Sequence, residues 1–158
     1  MKEDQSPREA GITYLELIAT AAILMILASA IMPTARVMHQ RQRELELRRN
    51  LRELRSAIDR YKQSVDAGLI GGTDVKVGSE GYPPELETLV KGVNQVGRID
   101  HKLKFLRRIP VDPLTRAKWG LRCYQDAPDS GTWCGQNVWD VYTTSEATAL
   151  DGSKYKDW

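Results

Sequence analysis

The chain of 158 residues has little histidine and cysteine, the residue types that most often build catalytic and transition-metal sites. It contains two of each, and His39 and His101 lie far in sequence from Cys123 and Cys134. Two cysteines are too few for a structural zinc site unless histidines help. The sequence also lacks a Gly-x-Ser-x-Gly turn, a phosphate-binding glycine loop with lysine, and a paired-histidine metal motif. We therefore expect neither an enzyme nor a zinc site at the cysteines.

A surplus of charge of one sign is also missing. Charged residues make up 28% of the chain, yet the net charge is only +2, because 23 basic residues nearly balance 21 acidic ones. Acids separate the arginines between Arg36 and Arg60, which interrupts the clustered positive charge that phosphate binding requires. No zinc finger, helix-turn-helix pair or aromatic RNA platform accompanies these arginines. The sequence therefore predicts no nucleic-acid partner.

The most prominent feature that is present is one long apolar run. From Ile12 to Ala35 the only ionised side chain is that of Glu16. About 20 helical residues at about 1.5 Å each cross a hydrocarbon core of about 30 Å, so the run predicts a membrane-spanning helix at 12–35. A secretory signal is the alternative, but it has a basic start and an apolar run of about 7 to 15 residues. This run is longer, and its leader mixes acids with bases.

The residues Gly-Ile-Thr-Tyr-Leu-Glu, from Gly11 to Glu16, come directly before the apolar run. This pattern resembles the processing signal of the type IV pilin and pseudopilin superfamily. The resemblance implies that a prepilin peptidase removes a leader at 1–11 by cutting between Gly11 and Ile12, and that the new amino group of Ile12 is N-methylated. It also implies that Glu16 pairs with this amino group of a neighbouring subunit, and it gives Pro33 a counterpart in the family. The alternative is that Glu16 snorkels to the membrane surface.

Beyond the membrane segment, apolar residues recur at spacings of three and four, which places them on one face of a helix. We predict that the helix continues as an amphipathic segment over 36–67 and ends near Gly68, because glycine favours the left-handed C-cap. The apolar stripe is then expected to pack on a globular domain at 68–158. A coiled coil is the alternative, but the stripe covers only about two and a half heptads. The stripe consists of Leu47, Leu51, Leu54, Ile58, Tyr61 and Val65.

The remaining residues predict a small domain with one short helix and a hairpin. The segment 82–90 has prolines and acids at its start, as helix N-termini favour. The β-prone runs 119–124 and 137–142 predict an antiparallel hairpin. Cys123 and Cys134 lie in and beside its connection and are expected to form a disulfide in an oxidising periplasm. The predicted fold class is therefore α+β and pilin-like, with a long N-terminal helix on a small C-terminal domain.

Two further segments resemble one branch of this superfamily in particular. A helix that begins at Tyr82-Pro83, followed by an Ile-Pro-Val-Asp-Pro turn at 109–113, is similar to the G-type major pseudopilin of type II secretion systems. Related pseudopilins hold calcium in the C-terminal loop through carboxylate and carbonyl oxygens. Carried over, the resemblance implies calcium ligands at Glu146, Asp151 and Asp157, together with Ser145. The alternative is a solvated acidic tail.

The resemblance implies a structural subunit that crosses the inner membrane once, with its C-terminal domain in the periplasm. Its expected partners are copies of itself, minor pseudopilins, the inner-membrane platform of a secretion system and the prepilin peptidase. Two other functions remain open: a type IV pilin of a surface pilus, and a membrane-anchored binding or sensor domain. Arginines after the membrane segment, counted by the positive-inside rule, favour the opposite orientation. The cysteine pair and the globular tail favour the periplasmic one.

Overall fold

The computed structural model of the chain describes residues 11, 13–72, 75–98 and 101–158, without the side chains of 30–34. The leader residues 1–10, Ile12 and the side chain of Pro33 therefore lie outside the described residues, and the predictions for them stay predictions. The chain forms two compact units, Met1–His39 and Gln40–Trp158.

Helix α1 spans Tyr14–Asp66, 53 residues in all. At its start, the backbone N–H of Glu16 donates to Oγ1 of Thr13 at 3.3 Å, which satisfies one of the free donors of the first turn. At its end, the N–H of Gly68 donates to the carbonyl of Val65 at 2.9 Å, and Gly68 has φ +70°. Glycine adopts this left-handed conformation at little cost. The predicted helix end near Gly68 is therefore confirmed.

In the unit Met1–His39, the described part of α1 exposes its large apolar side chains. Leu15 is 78% exposed and Met25 is 68% exposed. Within the described residues of the chain, no helix is both long enough and apolar enough to span a bilayer. The membrane-spanning helix at 12–35 therefore stays a prediction.

The unit Gln40–Trp158 is built on the predicted apolar stripe of α1. The stripe residues from Leu47 to Tyr61 are at most 3% exposed, and Val65 is partly buried against the same core. Full burial of one such side chain is worth roughly 1.5–3 kcal/mol. The sequence prediction of this face is confirmed. The core around it contains Ala57, Ile70, Leu86, Leu89, Val93, Leu106, Trp119, Val138, Val141, Ala149 and Tyr155.

Helix α2, Leu86–Lys91, is the predicted short helix, although it begins later than the prolines suggest. Leu86 and Leu89 are buried, and Val90 is partly buried. A small hairpin follows, in which β1, Val93–Asn94, pairs antiparallel with β2, Lys102–Leu103. The sequence predicts only a loop here. Two-residue strands are too short to show an alternating pattern, so their pairing was not visible before the fold placed them together.

The hairpin that the sequence predicts is present, as the second hairpin along the chain. Strand β3, Gly120–Arg122, pairs antiparallel with β4, Asp140–Tyr142, with Leu121 opposite Val141. The pairing is shorter than the two β-prone runs suggest. A 3₁₀ helix at Tyr155–Asp157 and an isolated bridge between Thr148 and Lys154 organise the end of the chain.

Candidate functional site

Glu16, the candidate assembly residue, lies exposed in the first turn of α1. A carboxylate at this position is favoured by the positive end of the helix dipole. Among the described side chains, no cation lies within 4.0 Å of its carboxylate. The predicted partner is the amino group of Ile12 in a neighbouring subunit, so this pairing stays a prediction.

The disulfide joins Cys123 to Cys134, with 5.9 Å between their Cα atoms, as the sequence predicts. Cys123 is buried at the end of β3, whereas Cys134 is exposed. Oδ2 of Asp126 accepts a hydrogen bond from the N–H of Cys123 at 2.7 Å. These three side chains form the one close group of potential metal-ligating atoms in the described part of the chain. Because both sulfurs are in the disulfide, they are not the thiolates that bind metals.

Asn137 organises the loop that the disulfide closes. Its side-chain oxygen accepts from the N–H of Tyr124 at 3.0 Å, and its amide donates to Gln125 at 2.9 Å. Its backbone carbonyl accepts from the indole N–H of Trp133 at 2.7 Å. A buried amide needs such partners, because an unsatisfied one costs roughly 1–3 kcal/mol. Sequence reasoning missed this residue, since an asparagine before a strand is a common turn residue.

Asp112, in the Ile-Pro-Val-Asp-Pro turn, is a fully buried carboxylate. Its Oδ1 accepts from the N–H groups of Leu114 at 2.8 Å and of Thr115 at 3.3 Å. Its Oδ2 accepts from the hydroxyls of Thr115 and Thr143. The carboxylate thus ties the turn to the residue after β4. The role of this aspartate is structural.

Asp151, one of the three expected calcium ligands, is already bound within the chain. Its Oδ1 accepts from Ser153, from the N–H at 2.9 Å and from the hydroxyl at 2.6 Å. Its Oδ2 lies 3.3 Å from Nη2 of Arg48 on α1. The hydrogen bonds from Ser153, and next the charge of Arg48, lower the pKa of Asp151 although it is exposed.

The other two expected ligands, Glu146 and Asp157, line a cavity of about 680 Å³ that Asp151 does not line. Arg122 and Lys156 line the same cavity, and Nζ of Lys156 lies 3.6 Å from Oε2 of Glu146. In the described part of the chain, no three carboxylates bring their oxygens within 4.8 Å of one another. Glu146 and Asp157 therefore share a cavity that Asp151 does not line, and calcium binding stays a prediction.

The C-terminal loop, residues 145–158, lies against α1. Tyr155 is buried, and its hydroxyl donates to Oε1 of Glu44 at 2.8 Å while it accepts from Nε2 of Gln40 at 3.0 Å. The N–H of Leu150 donates to the same Glu44 oxygen at 2.8 Å. Burial raises the pKa of Tyr155, and the nearby Glu44 raises it further. Tyr155 and Ala149 anchor the loop in the core, whereas its carboxylates Glu146, Asp151 and Asp157 are exposed, so the alternative of a solvated acidic tail stays open.

Trp158 is held by two arginines of α1. The guanidinium carbon of Arg48 lies 4.0 Å from the centroid of the Trp158 ring. Nη2 of Arg55 donates to the Trp158 carbonyl at 2.7 Å. The ring also meets Tyr155 edge to face at 5.1 Å, and its indole N–H donates to Ser153. In the sequence, these arginines belong to the charged face of α1 and look solvated. No local signal distinguishes them from their neighbours.

Comparisons of the chain with models of known protein families, with curated proteins and with solved structures found no match in any of the three.

Proposed function

We propose that the chain is a filament subunit of the type IV pilin superfamily, a pseudopilin similar to the G-type major subunit of type II secretion systems. The observation that carries this proposal is the contrast within α1. Its stripe from Leu47 to Tyr61 is buried, whereas its apolar part at 14–27 is exposed. Exposed apolar surface of this extent is typical of a segment that lipid or another protein covers. The exposed residues are Tyr14, Leu15, Leu17, Ile18, Ile23, Leu24, Met25, Ile26 and Leu27.

In this proposal, lipid covers the apolar part of α1 before assembly and neighbouring subunits cover it afterwards. The subunit is a single-pass protein of the inner membrane whose C-terminal domain lies in the periplasm. Glu16 costs roughly 2.5–3.5 kcal/mol at the centre of a bilayer. Pairing with the Ile12 amino group of a neighbour offsets this cost only in the filament. The carboxylate thereby favours assembly over the isolated membrane state.

The domain at the other end of α1 has the features of a rigid structural module. The disulfide closes a loop of about 12 residues, for which chain entropy predicts a stabilisation of about 3 kcal/mol. Arg55 links α1 to β4 and to the C-terminal loop through four hydrogen bonds. We propose a mechanical role, in which the growing filament helps drive folded proteins across the outer membrane, and no enzymatic one.

The experiment that tests the proposal is N-terminal mass spectrometry of the chain expressed with an active prepilin peptidase. We expect the mature protein to begin at Ile12, with a methyl group on its amino nitrogen. Gly11→Val is the matched control, because a branched side chain at the cleavage position should leave the leader in place. An intact leader in the unaltered chain contradicts the proposal and favours a membrane-anchored binding domain.

The periplasmic orientation has its own test. Thiols are alkylated in intact cells, and peptides are mapped without reduction. The expected result is a Cys123–Cys134 cross-link in the membrane fraction, because the periplasm is oxidising. Free thiols at both positions contradict the orientation. Long surface fibres at native expression level, without secretion of a reporter protein, favour a type IV pilin instead.

A further inference from the structure

The C-terminal loop is attached to α1 by side chains that lie one helical turn apart. Gln40, Glu44 and Arg48 follow one another at i, i+4 spacing, so they share one face of the helix. Gln40 and Glu44 bind the hydroxyl of Tyr155, and Arg48 lies next along this face. The three side chains of α1 that hold the loop are therefore an amide, an anion and a cation, in that order along the helix.

Arg48 is held from two sides. Its Nη2 lies 3.3 Å from Oδ2 of Asp151, and its guanidinium carbon lies 4.0 Å from the centroid of the Trp158 ring. A guanidinium is planar and always charged, so it pairs with a carboxylate and stacks on an aromatic face at the same time. Lysine has the charge without the planar surface. The contact is thus specific to arginine.

The three carboxylates expected to bind calcium do not converge on one point. Calcium takes six to eight oxygen ligands at about 2.3–2.6 Å, supplied by carboxylates, carbonyls and waters around one ion. The oxygens of Asp151 are bound by Ser153 and Arg48, and Glu146 pairs with Lys156. Glu146 and Asp157 line a cavity that Asp151 does not share. Asp151 and Glu146 therefore have charged partners within the chain itself.

We infer that Arg48 holds the C-terminal loop on α1 in the role that the resemblance to pseudopilins gives to calcium. The guanidinium places a positive charge beside Asp151, and the ring of Trp158 covers one face of the guanidinium. Docking of the loop is then independent of divalent cations. This inference concerns the single subunit and does not require a filament. Its consequence for assembly rests on the proposed function.

The first test is a calcium titration of the full chain in detergent, followed by thermal unfolding. A ligand that binds only the native state raises the melting temperature by mass action. We expect the melting temperature to be the same with calcium chloride and with a chelator. A rise with calcium that the chelator reverses overturns the inference and favours a divalent-cation site. This measurement uses the unaltered protein, so it does not depend on whether a variant folds.

The second test compares Arg48→Gln with Arg52→Gln, one turn further along α1. Arg52 is exposed, and it makes no hydrogen bond or ion pair with the described residues. We expect Arg48→Gln to speed amide hydrogen exchange at Leu150 and Tyr155 several-fold, because the exposed ion pair and the stacked ring each contribute modestly to the docking of the loop. Calcium should not restore the slow exchange. Equal exchange in the two variants overturns the role of Arg48.

Arg48→Lys separates charge from shape. Because lysine retains the positive charge but not the planar stack on Trp158, we expect its exchange rate to lie between those of Arg48→Gln and the unaltered chain. Exchange as fast as in Arg48→Gln shows that the positive charge alone does not hold the loop, which overturns the comparison of Arg48 with calcium. An exchange rate in Arg48→Lys equal to that of the unaltered chain shows that any cation suffices. This result overturns the claim that the contact is specific to arginine.

The consequence for the filament is tested separately. We expect filament yield and secretion of a reporter protein to be the same with and without a calcium chelator. Chelation that abolishes assembly, while the melting temperature of the subunit stays unchanged, contradicts calcium-independent assembly. A complete lack of filaments in every condition contradicts the proposed function and leaves the result for the single subunit intact.

Discussion

Arg55 on α1 binds both carboxylate oxygens of Asp140 on β4, from Nε to Oδ1 at 2.7 Å and from Nη2 to Oδ2 at 3.2 Å. The same guanidinium donates to the carbonyls of Val141 at 3.2 Å and of Trp158 at 2.7 Å. Nη1 of Arg122 on β3 lies 3.7 Å from the second Asp140 oxygen. One arginine thus connects the long helix, the disulfide hairpin and the C-terminal loop.

Replacing Arg55 tests this connection. Arg55→Gln removes the ion pair with Asp140 and the hydrogen bonds to two carbonyls. Because hydrogen bonds to charged groups are worth about 1.5–3 kcal/mol, we expect the free energy of unfolding to fall by about 2 kcal/mol. Urea unfolding of the full chain measures this change. Arg52→Gln, on the exposed face of α1, is the control and should change the stability by less than about 0.5 kcal/mol. Equal effects of the two substitutions contradict the role of Arg55.

The buried turn at Asp112 gives a second prediction. Asp112→Asn keeps the shape of the side chain but places an amide N–H₂ among the donors of Thr115, Leu114 or Thr143. We expect a loss of roughly 1–3 kcal/mol in the free energy of unfolding, because a buried donor or acceptor is left without its partner. Thr143→Val removes one of these donors and should show a non-additive effect in a double-mutant cycle with Asp112→Asn. Urea unfolding measures all three variants.

The control for Thr143→Val is Thr144→Val, because Thr144 is the exposed neighbour in the chain. It should leave the stability within about 0.5 kcal/mol of the unaltered protein. Strict additivity of Asp112→Asn and Thr143→Val would show that their hydrogen bond contributes nothing to stability.

Two glycines with similar positive φ angles differ in the space around them. Gly92 has φ +78° and Gly97 has φ +76°. A Cβ at Gly92 would lie 2.8 Å from the carbonyl oxygen of Leu103, whereas a Cβ at Gly97 would meet nothing within 4 Å. Both alanine variants lose stability because side chains rarely adopt a positive φ, and Gly92, with ψ 164°, lies in a region that is essentially confined to glycine. We expect Gly92→Ala to lose about 1–3 kcal/mol more through overpacking, as measured by urea unfolding. Equal losses of stability in the two variants would mean that β2 shifts away from the added methyl group at no cost.

The sharpest test of assembly concerns Glu16. Glu16→Leu removes a carboxylate that is costly in lipid, so the subunit should insert into the membrane at least as well as before. In the filament, the same change leaves the Ile12 ammonium of a neighbour without its counter-ion, which typically costs about 3–5 kcal/mol. We therefore expect assembly to fail while cleavage after Gly11 continues. Filament yield and reporter secretion measure the effect.

Glu16→Asp is a milder substitution at the same position. Its shorter side chain reaches less far toward the same ammonium, so we expect a partial defect in filament yield. The membrane level of the subunit is the control for both variants. Normal assembly and secretion by Glu16→Leu at an equal subunit level would refute the pairing and favour a carboxylate that snorkels to the membrane surface.

The sequence by itself determined the features that depend on local spacing. The stripe from Leu47 to Tyr61 was readable because the helical period places residues three and four apart on one face, whatever the rest of the chain does. The end of α1 near Gly68 follows from the left-handed conformation that glycine adopts. The disulfide allowed only one pairing, because the chain has only two cysteines.

Only the tertiary structure decided which charged side chains have partners. Arg48, Arg52 and Arg55 look alike in the sequence, because the spacing on a helix face is the same for a solvated arginine and for a paired one. Asp151, the partner of Arg48, lies 103 residues further along the chain, and Asp140, the partner of Arg55, lies 85 residues further. Such contacts depend on where the core places the C-terminal loop, and no local pattern carries that information. The burial of Tyr155 was hidden for the same reason, whereas the pairing of β1 with β2 was hidden because two-residue strands show no alternating pattern.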